Sequence, residues 1–388
     1  MNRRPSSSVV TGNEVVKRFL MGRMCSLHDM LSCVKCGRRY SDFVTSCSDC
    51  GSPLVVDYEG KEWKPKGQGV WRYQSMIPVN GSISLSEGNT PLVRRRDVDE
   101  EIFMKLEGDN PTGSFKDRGS TVVISDAFNK KYKRAVVAST GNMGASVAAY
   151  CAYANIKARV FIPEDVTEEK VSQISVYGAE LVRVAGGFSK AVERSKEEAR
   201  GKGCYLAMTG LNPYFIEGLK TISFELFEQM GVPDKIIVPT GSGGLITAIF
   251  KGFVELSDLG VLRTLPQMIA VQSDVVAPIV DAWRTGGDIV IPKEVKTIAS
   301  AIMVKVPFNG YSAIEAVKKS GGFGVTVTDH QILRAIKDLG REGVFAEPAS
   351  AAAYAALEEF DYRSDERIAL MITGSGLKDP AAVLKNPV

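Results

Sequence analysis

The sequence predicts an α/β protein built on open, mostly parallel sheets. Three observations carry that expectation. From about Trp71 onward, short continuous apolar runs alternate with stretches of helical periodicity. Strands covered on both faces look like this, because neither face meets water. Several of these runs end in Gly- and hydroxyl-rich turns that open a helix, the junction at which open sheets bind ligands. A small cysteine-bearing module stands in front, separated by a Gly/Pro/Lys linker.

The chain has 388 residues, 44% hydrophobic and 24% charged, enough for two or three domains with sizeable cores. A net charge of +3 is too small to argue for nucleic acid or a membrane surface as a partner. No uninterrupted apolar run is long enough to span a bilayer. The opening Met1-Asn-Arg-Arg-Pro-Ser-Ser-Ser is basic and Ser-rich but lacks the apolar core of a secretory signal, so a frayed N-terminus is the plainer reading. Seven cysteines, four of them in two close pairs, suit a reducing compartment and a metal site better than a disulfide framework.

In chain order, residues 13–30 could form a short helix, and residues 31–58 carry the cysteines. The linker Lys61-Glu-Trp-Lys-Pro-Lys-Gly-Gln-Gly69 marks a boundary. Strands are expected at Ile102–Leu106, Arg134–Ala138, Ala158–Ile162, Glu180–Val184, Lys235–Pro239, Gln267–Val271 and Ile368–Ile372. Helices are expected between them, among them Gly144–Ala154, Ser189–Ala199, Glu217–Met230, Asp329–Leu339 and Ala349–Phe360. The organisation suggests a zinc ribbon over 25–58, a large domain from 59–111 and 223–388, and a small α/β domain over 112–222.

Within the module, Cys33-Val-Lys-Cys36-Gly and Cys47-Ser-Asp-Cys50-Gly are two CxxCG knuckles with ten residues between them. Thiolates at this spacing can share one tetrahedral ion, and four of them close its shell, so a zinc ion here would be structural. A knuckle that has lost its metal is the plain alternative. Cys25 and His28 lie nearby but are redundant as ligands. Cys151 and Cys204 sit in apolar contexts and read as core thiols.

The chemistry is concentrated in Asn110-Pro-Thr-Gly-Ser-Phe-Lys-Asp-Arg-Gly119. It puts Lys116 at the mouth of a helix that Ser114 can cap and whose first turn Asp117 suits. A cation is disfavoured there, which would lower the amine's pKa, as an imine-forming lysine needs. Alone, the segment fits a surface lysine at a loop-to-helix junction equally well. Four further segments change that. Val238-Pro-Thr-Gly-Ser-Gly-Gly-Leu-Ile246 is a strand, a glycine turn and a helix start, where backbone N–H groups converge on an anion. It lacks the Walker lysine and the dinucleotide glycine spacing. Ala138-Ser-Thr-Gly-Asn-Met-Gly-Ala145 is a second such turn; it suits a carboxylate, and Asn142 could donate to a phenolate-like oxygen, though Ser139 or Thr140 could equally be a plain cap. Ile372-Thr-Gly-Ser-Gly-Leu-Lys-Asp-Pro380 follows the last strand, where Thr373 or Ser375 could bond a ring nitrogen. Glu347-Pro-Ala-Ser-Ala351 starts a helix behind an acidic residue and, by itself, reads as a capped surface helix. Together these segments describe a site for pyridoxal 5'-phosphate (PLP): an imine-forming lysine, a phosphate anchor and a partner for the ring nitrogen.

On these residues the chain resembles the threonine synthase family of fold type II PLP enzymes. The carrying segments are Ser86-Glu-Gly-Asn-Thr-Pro-Leu92, Asn110–Gly119, Ser139-Thr-Gly-Asn142, Asn212-Pro-Tyr-Phe-Ile-Glu-Gly218, Glu347-Pro-Ala-Ser350 and Gly376-Leu-Lys-Asp-Pro380. The resemblance implies two open-sheet α/β domains with PLP in the cleft, preceded by a zinc ribbon held by Cys33, Cys36, Cys47 and Cys50. It implies that Lys116 forms the imine and moves protons, that Phe115 packs on the cofactor face and that Asn142 meets its 3-hydroxyl. Gly241, Ser242, Gly243, Gly244 and Leu245 would hold the phosphate, and Thr373 the pyridine nitrogen. Ser139, Thr140 and Gly141 would take the substrate α-carboxylate. It further implies a cytoplasmic homodimer acting on a small amino-acid substrate, converting O-phospho-L-homoserine and water to L-threonine and phosphate.

The departures from the family pattern cluster on the leaving phosphate. Where the family spells Asn-Ser-x-Asn-Pro-x-Arg, this chain reads Thr209-Gly-Leu-Asn-Pro-Tyr-Phe215. Phe215 cannot pair with phosphate as an arginine does. Met143 replaces a threonine, Leu219 a glutamine and Ser375 a histidine. The cofactor loop Gly241–Leu245 looks more like that of Ser/Thr dehydratases. Lys220, Arg94–Arg96 and Lys305 are possible substitutes, each otherwise a solvated face. The alternatives are therefore a threonine/serine ammonia-lyase, a β-replacement enzyme on a serine derivative (cysteate synthase-like), or a non-catalytic zinc-ribbon protein.

Overall fold

Two separate open sheets carry the chain after the linker, and their strand ends set where the site lies. The computed structural model describes residues 30–96, 99–201, 203–292 and 296–384. The helix expected over 13–30, Cys25 and His28 fall outside the described residues, except that Met30 opens the first strand.

The cysteine module is a three-stranded antiparallel sheet of β1 (Met30–Cys33), β2 (Arg39–Tyr40) and β3 (Leu54–Asp57), in the order β2-β1-β3. Pairing Cys33 with Leu54 brings the first knuckle beside the second. Gly37 and Gly51 follow the two CxxC pairs with φ of 73° and 68°, the left-handed turn that only glycine adopts freely.

The first open sheet has six strands: β4 (Leu92–Arg94) and β5 (Glu101–Leu106), then, much later in the chain, β10 (Lys235–Pro239), β11 (Gln267–Ser273), β12 (Phe323–Val327) and β13 (Arg367–Ile372). The order is β12-β11-β10-β13-β5-β4, and only the edge strand β4 runs antiparallel. The second is a parallel sheet of β6 (Arg134–Ala138), β7 (Lys157–Pro163), β8 (Glu180–Val184) and β9 (Cys204–Leu206), in the order β8-β7-β6-β9. All seven expected strands are present, three of them with the expected bounds. The central strand β10 is buried along its whole length, which is why its sequence is one apolar run. Strands β4, β9 and β12 were not expected; the first two are only three residues long, too short to leave a period in the sequence.

The helices that matter for the site are α1 (Lys116–Asn129), α2 (Asn142–Tyr153), α3 (Glu168–Val176), α4 (Gly187–Ala199), α5 (Tyr214–Leu219), α6 (Thr221–Met230) and α7 (Gly244–Asp258). The single helix expected over Glu217–Met230 is two, α5 and α6, with Lys220 between them. The helix expected over Ala349–Phe360 is α-helical only over Pro348–Ala355 and tightens to a 3₁₀ turn at Ala356–Glu359. Asp329–Arg341 starts with a capping box in which Thr328 and Gln331 bond reciprocally.

Helix α1 is anchored by a fully buried ion network. Arg118 is 0% exposed; its Nε and Nη2 donate to the Glu107 carboxylate at 2.7 Å, and Nη1 and Nη2 to Glu225 at 2.7 and 2.8 Å. Lys105 adds a second cation at 2.8 Å from Glu225. Burial alone would raise the Glu225 carboxyl, but Arg118 and Lys105 outweigh it and hold it at about 2. The network joins β5, α1 and α6, so the residue two positions after Lys116 is fixed from both sides.

Candidate functional site

Three of the segments singled out in the sequence meet as neighbouring extended strands. The Phe115 N–H donates to the Thr373 carbonyl at 3.0 Å, and the Ser375 N–H to the Gly113 carbonyl at 3.0 Å. On the other side of the Thr373–Gly376 loop, the Glu347 N–H donates to the Gly374 carbonyl at 3.2 Å, and the Gly376 N–H to the Phe345 carbonyl at 2.8 Å. The loop after β13 is therefore sandwiched between the lysine loop and the approach to Pro348–Ala355.

Lys116 is the first residue of α1 and half-buried. Its Nζ lies 4.3 Å from the centre of the Phe115 ring and 5.9 Å from that of Phe215. Burial lowers its pKa to about 8, against the opposing pull of Glu347. The sequence argument reached that direction through the helix terminus; among the described groups the cause is loss of solvent. Asp117 holds the loop shut: its carboxylate accepts from the Thr112 N–H at 2.7 Å, the Thr112 hydroxyl at 2.6 Å and the Ser146 hydroxyl at 2.6 Å. The cap expected from Ser114 is not made. Its Oγ is buried without a hydrogen-bond partner, because the backbone of Ser114 is committed to the bridge with Gly374. Phe115 packs against the cores beneath both open sheets.

Asn142 opens α2, after Ser139, Thr140 and the exposed Gly141. Among the described residues no side chain caps this helix, so neither Ser139 nor Thr140 is occupied as a cap; Ser139 Oγ accepts from the Gly141 N–H at 3.3 Å. The Asn142 Nδ2 donates to both carboxylate oxygens of Glu347, at 3.1 and 3.0 Å. Glu347 is 4% exposed, which overturns the surface-helix reading of its segment. Thr373 is also buried, and its hydroxyl lies 2.8 Å from Ser350 Oγ, which in turn accepts from the Gly374 N–H at 2.8 Å.

The glycine turn Gly241–Leu245 lies at the start of α7, beyond α5. Gly243 has φ of 87°, and a methyl on it would sit 2.7 Å from the Asn309 carbonyl oxygen. The Asn309 N–H donates to the Ser242 carbonyl at 2.8 Å. Two buried polar atoms converge here without partners, Thr209 Oγ1 and Asn309 Oδ1. A methyl built on Gly244 would meet them at 3.6 and 3.4 Å, so they face the first turn of α7. A helix N-terminus, open glycine backbone and the unsatisfied Thr209 hydroxyl, which can donate, are the setting a phosphate requires. The donor set thus fits PLP. Thr209 was not expected in this role and was noted only as a departure.

Three of the basic residues weighed as phosphate substitutes, Lys220, Arg94 and Arg95, are engaged elsewhere. Lys220 is fully buried, contrary to a solvated face; its Nζ donates to Glu217 at 2.5 Å, to Glu255 at 2.7 Å and to the Tyr58 hydroxyl at 2.8 Å. Arg94 pairs with Glu101 at 2.8 Å and Arg95 with Glu342 at 3.2 Å, both at the β4 edge. Lys305 is exposed, two residues from Met303 and four from Asn309. Phe215 is 0% exposed, its ring filling the space beside Gly119. A cation the sequence argument passed over is Lys378, whose Nζ donates to the Thr112 carbonyl at 3.1 Å and to the Gln173 side chain, closing the lysine loop against α3.

In the ribbon, the Sγ atoms of Cys33, Cys36, Cys47 and Cys50 all lie within 4.8 Å of one another. The backbone N–H groups of Lys35 and Cys36 both point at Cys33 Sγ, at 3.4 Å, and the Tyr40 hydroxyl donates to Cys47 Sγ at 3.2 Å. Such donors favour thiolates, and the cluster fits a tetrahedral zinc ion. Cys151 and Cys204 are buried, as core thiols should be.

Comparison with known proteins agrees with this geometry. Residues 83–374 match the family model described as pyridoxal-phosphate dependent enzyme. The chain is 42% identical to a threonine synthase of Methanocaldococcus jannaschii over 380 residues, covering 91% of this chain and 94% of that one. It is 37% identical to a threonine synthase of Mycobacterium tuberculosis over 328 residues, covering 81% and 89%. Among solved structures, maize serine racemase aligns with a TM-score of 0.67 at 25% identity, covering 76% of this chain and 91% of that one. A T.th. threonine deaminase aligns with a TM-score of 0.64 at 26% identity, covering 74% and 92%. Among the described residues no helix is long and apolar enough to cross a membrane.

Proposed function

The chain belongs to the threonine synthase family of pyridoxal-phosphate dependent enzymes, and from that premise we propose that it converts O-phospho-L-homoserine and water to L-threonine and phosphate. The observation that carries this reading is the likeness to threonine synthases along almost the whole chain. As a PLP-dependent carbon–oxygen lyase, it needs one amine, one anion cradle and one ring-nitrogen partner, and supporting geometry exists for each.

In this proposal Lys116 binds the cofactor and carries protons among Cα, Cβ and Cγ of the substrate. Its lowered pKa leaves a useful fraction of neutral amine at neutral pH, as a proton acceptor requires. Gly241–Leu245 hold the phosphate by backbone N–H groups, with the Thr209 hydroxyl as side-chain partner. Phe115 packs on the ring, Asn142 addresses the ring oxygen and Thr373 the ring nitrogen. Ser139, Thr140 and Gly141 bind the α-carboxylate. When bound, PLP supplies the electron sink that makes the Cα proton removable. One Cβ proton is removed and the γ-phosphate leaves with the electrons of the Cγ–O bond; the hydroxyl of water adds at Cβ, and the Cβ proton and the remaining water proton end on Cγ and on the phosphate, so the atoms balance.

The ribbon cysteines hold one structural zinc ion in this reading, and the domain division is 25–58, 59–111 with 223–388, and 112–222. The sheet composition supports that division, since β4 and β5 pair with β13 while β6–β9 form their own sheet. A cytoplasmic homodimer completes the proposal.

One observation favours a second reading. Phe215 is fully buried at the family's phosphate-contact arginine position, and Lys220 is held by two carboxylates. A neutral leaving group suits that wall better than a phosphate dianion, which points to ammonia release from threonine or serine, or to β-replacement on a serine derivative. The assay that decides is paired: phosphate from O-phosphohomoserine against 2-oxo acid from threonine. No phosphate release at saturating substrate removes the first reading, and 2-oxo-acid release then establishes the second.

A further inference from the structure

Glu347 is a buried acid for which the roles above have no use. Among the described residues no Lys or Arg forms an ion pair with it, and its one side-chain donor is the neutral Asn142 amide. A buried carboxylate without a cation is costly to keep ionised, so the group tends to hold a proton. Burial pushes it up to about 7; Asn142, Lys378 and Lys116 pull against that shift, and Asp379 adds to it. The backbone is shaped around the carboxyl as well. Gly374 directly follows Thr373, and a methyl on it would sit 2.6 Å from Glu347 Oε1, so glycine there is what admits the acid into the site. The carboxyl thus stands where the Asn142 turn, the Thr373 loop and the field of Lys116 meet.

We propose that Glu347 is a positioning residue behind Asn142: it orients the amide, and its own protonation state sets, through that amide, how readily the cofactor oxygen that the amide addresses holds a proton. The inference rests on the reading that Asn142 meets that oxygen and that Lys116 binds the cofactor. No bond is made or broken between the two groups: an ionised Glu347 polarises the amide less towards the ring oxygen and adds a negative charge near it, whereas a protonated Glu347 does neither, so the titration of the acid and that of the ring oxygen are coupled.

The test is the pH dependence of the bound cofactor's absorbance in the purified holoprotein, for wild type and Glu347→Gln. The glutamine keeps the size and can still face Asn142 but cannot titrate. The midpoint of the absorbance change should move by about one pH unit or more in the variant, a tenfold change in proton affinity. Superimposable curves, with cofactor bound stoichiometrically in both proteins, would overturn the inference. Should the glutamine variant not retain cofactor, Glu347→Asp serves in its place. It keeps an acid but withdraws it by one methylene; its midpoint should also move, and an unmoved midpoint overturns the proposal. A wild-type chain that shows no cofactor band at all would instead refute the site reading on which the inference rests.

Discussion

The backbone N–H of Phe115 donates to the carbonyl of Thr373, so the residue before the lysine and the proposed ring-nitrogen partner are held 3.0 Å apart, donor to acceptor, across 258 positions of sequence. One hydrogen bond thereby sets the distance between the two ends of the proposed cofactor site. The Thr373 hydroxyl is held in turn by Ser350 at 2.8 Å.

Ser350→Ala should therefore weaken cofactor binding although Ser350 is given no contact with it. The substitution strands the Thr373 hydroxyl and the Gly374 N–H in a buried place, a loss of about 1–2 kcal/mol, or roughly tenfold in affinity. Titration of the apoprotein with PLP measures it. An unchanged affinity would show that the Ser350 contact does no positioning.

Arg118→Met should cost about 3–5 kcal/mol in denaturant unfolding, because it leaves Glu107 buried without a cation and Glu225 with Lys105 alone. The loss should shrink in acid. In the native protein Glu225 is held at about 2, so its stabilising effect is present above pH 4.5 and fades as pH falls towards 2. In the variant the Glu225 carboxyl takes up a proton more readily, and the two curves converge.

The pH dependence of the apoprotein should carry the mark of Lys116. Its folded pKa of about 8 lies below the ordinary 10.5, so between those values the unfolded chain binds more protons and stability rises with pH. The penalty is full below pH 8 and gone above 10.5. Lys116→Met should remove that rise and stabilise the apoprotein at pH 7 by on the order of 1–3 kcal/mol. Parallel stability curves for the two proteins across this window would contradict it.

Two alanine substitutions of glycine should move stability in opposite directions. A methyl on Gly218 would overlap the Arg118 carbonyl, a backbone group that cannot rotate away, so Gly218→Ala should cost about 1–3 kcal/mol or more. Gly340, in the helix Asp329–Arg341, has open space around its Cα, so Gly340→Ala should gain about 0.5–1 kcal/mol. Thermal melts of the two variants check the sign of each.

Metal analysis of the purified protein should return one zinc per chain. Cys36→Ser should reduce it, and a strong chelator should expose four additional reactive thiols, since a closed four-cysteine shell protects all its ligands at once. Full thiol reactivity before chelation would argue for an empty ribbon.

Much of the site was legible because its parts are local. A glycine turn between a strand and a helix, a CxxCG knuckle and a lysine behind Thr-Gly-Ser each announce themselves within ten residues. The same locality misled at Ser114, whose capping side chain looked available, while its backbone was already bound to Gly374. Lys220 looked like a solvated face for the same reason; nothing near it in sequence shows that Glu255 and Tyr58 will close over it.

The sequence by itself determined the cofactor class, the two CxxCG knuckles and seven of the ten strands of the two open sheets, because glycine, cysteine and apolar periodicity act over neighbouring residues. The tertiary structure decided which buried groups face one another. Asn142 and Glu347 are 205 positions apart and Arg118 and Glu225 are 107 apart, and whether an acid stays charged depends on the partner that folding brings to it. The Asn142–Glu347 pairing, the burial of Phe215 and the two unsatisfied atoms beside Gly244 exist only in three dimensions, and they bear on how protons are held and which substrate fits.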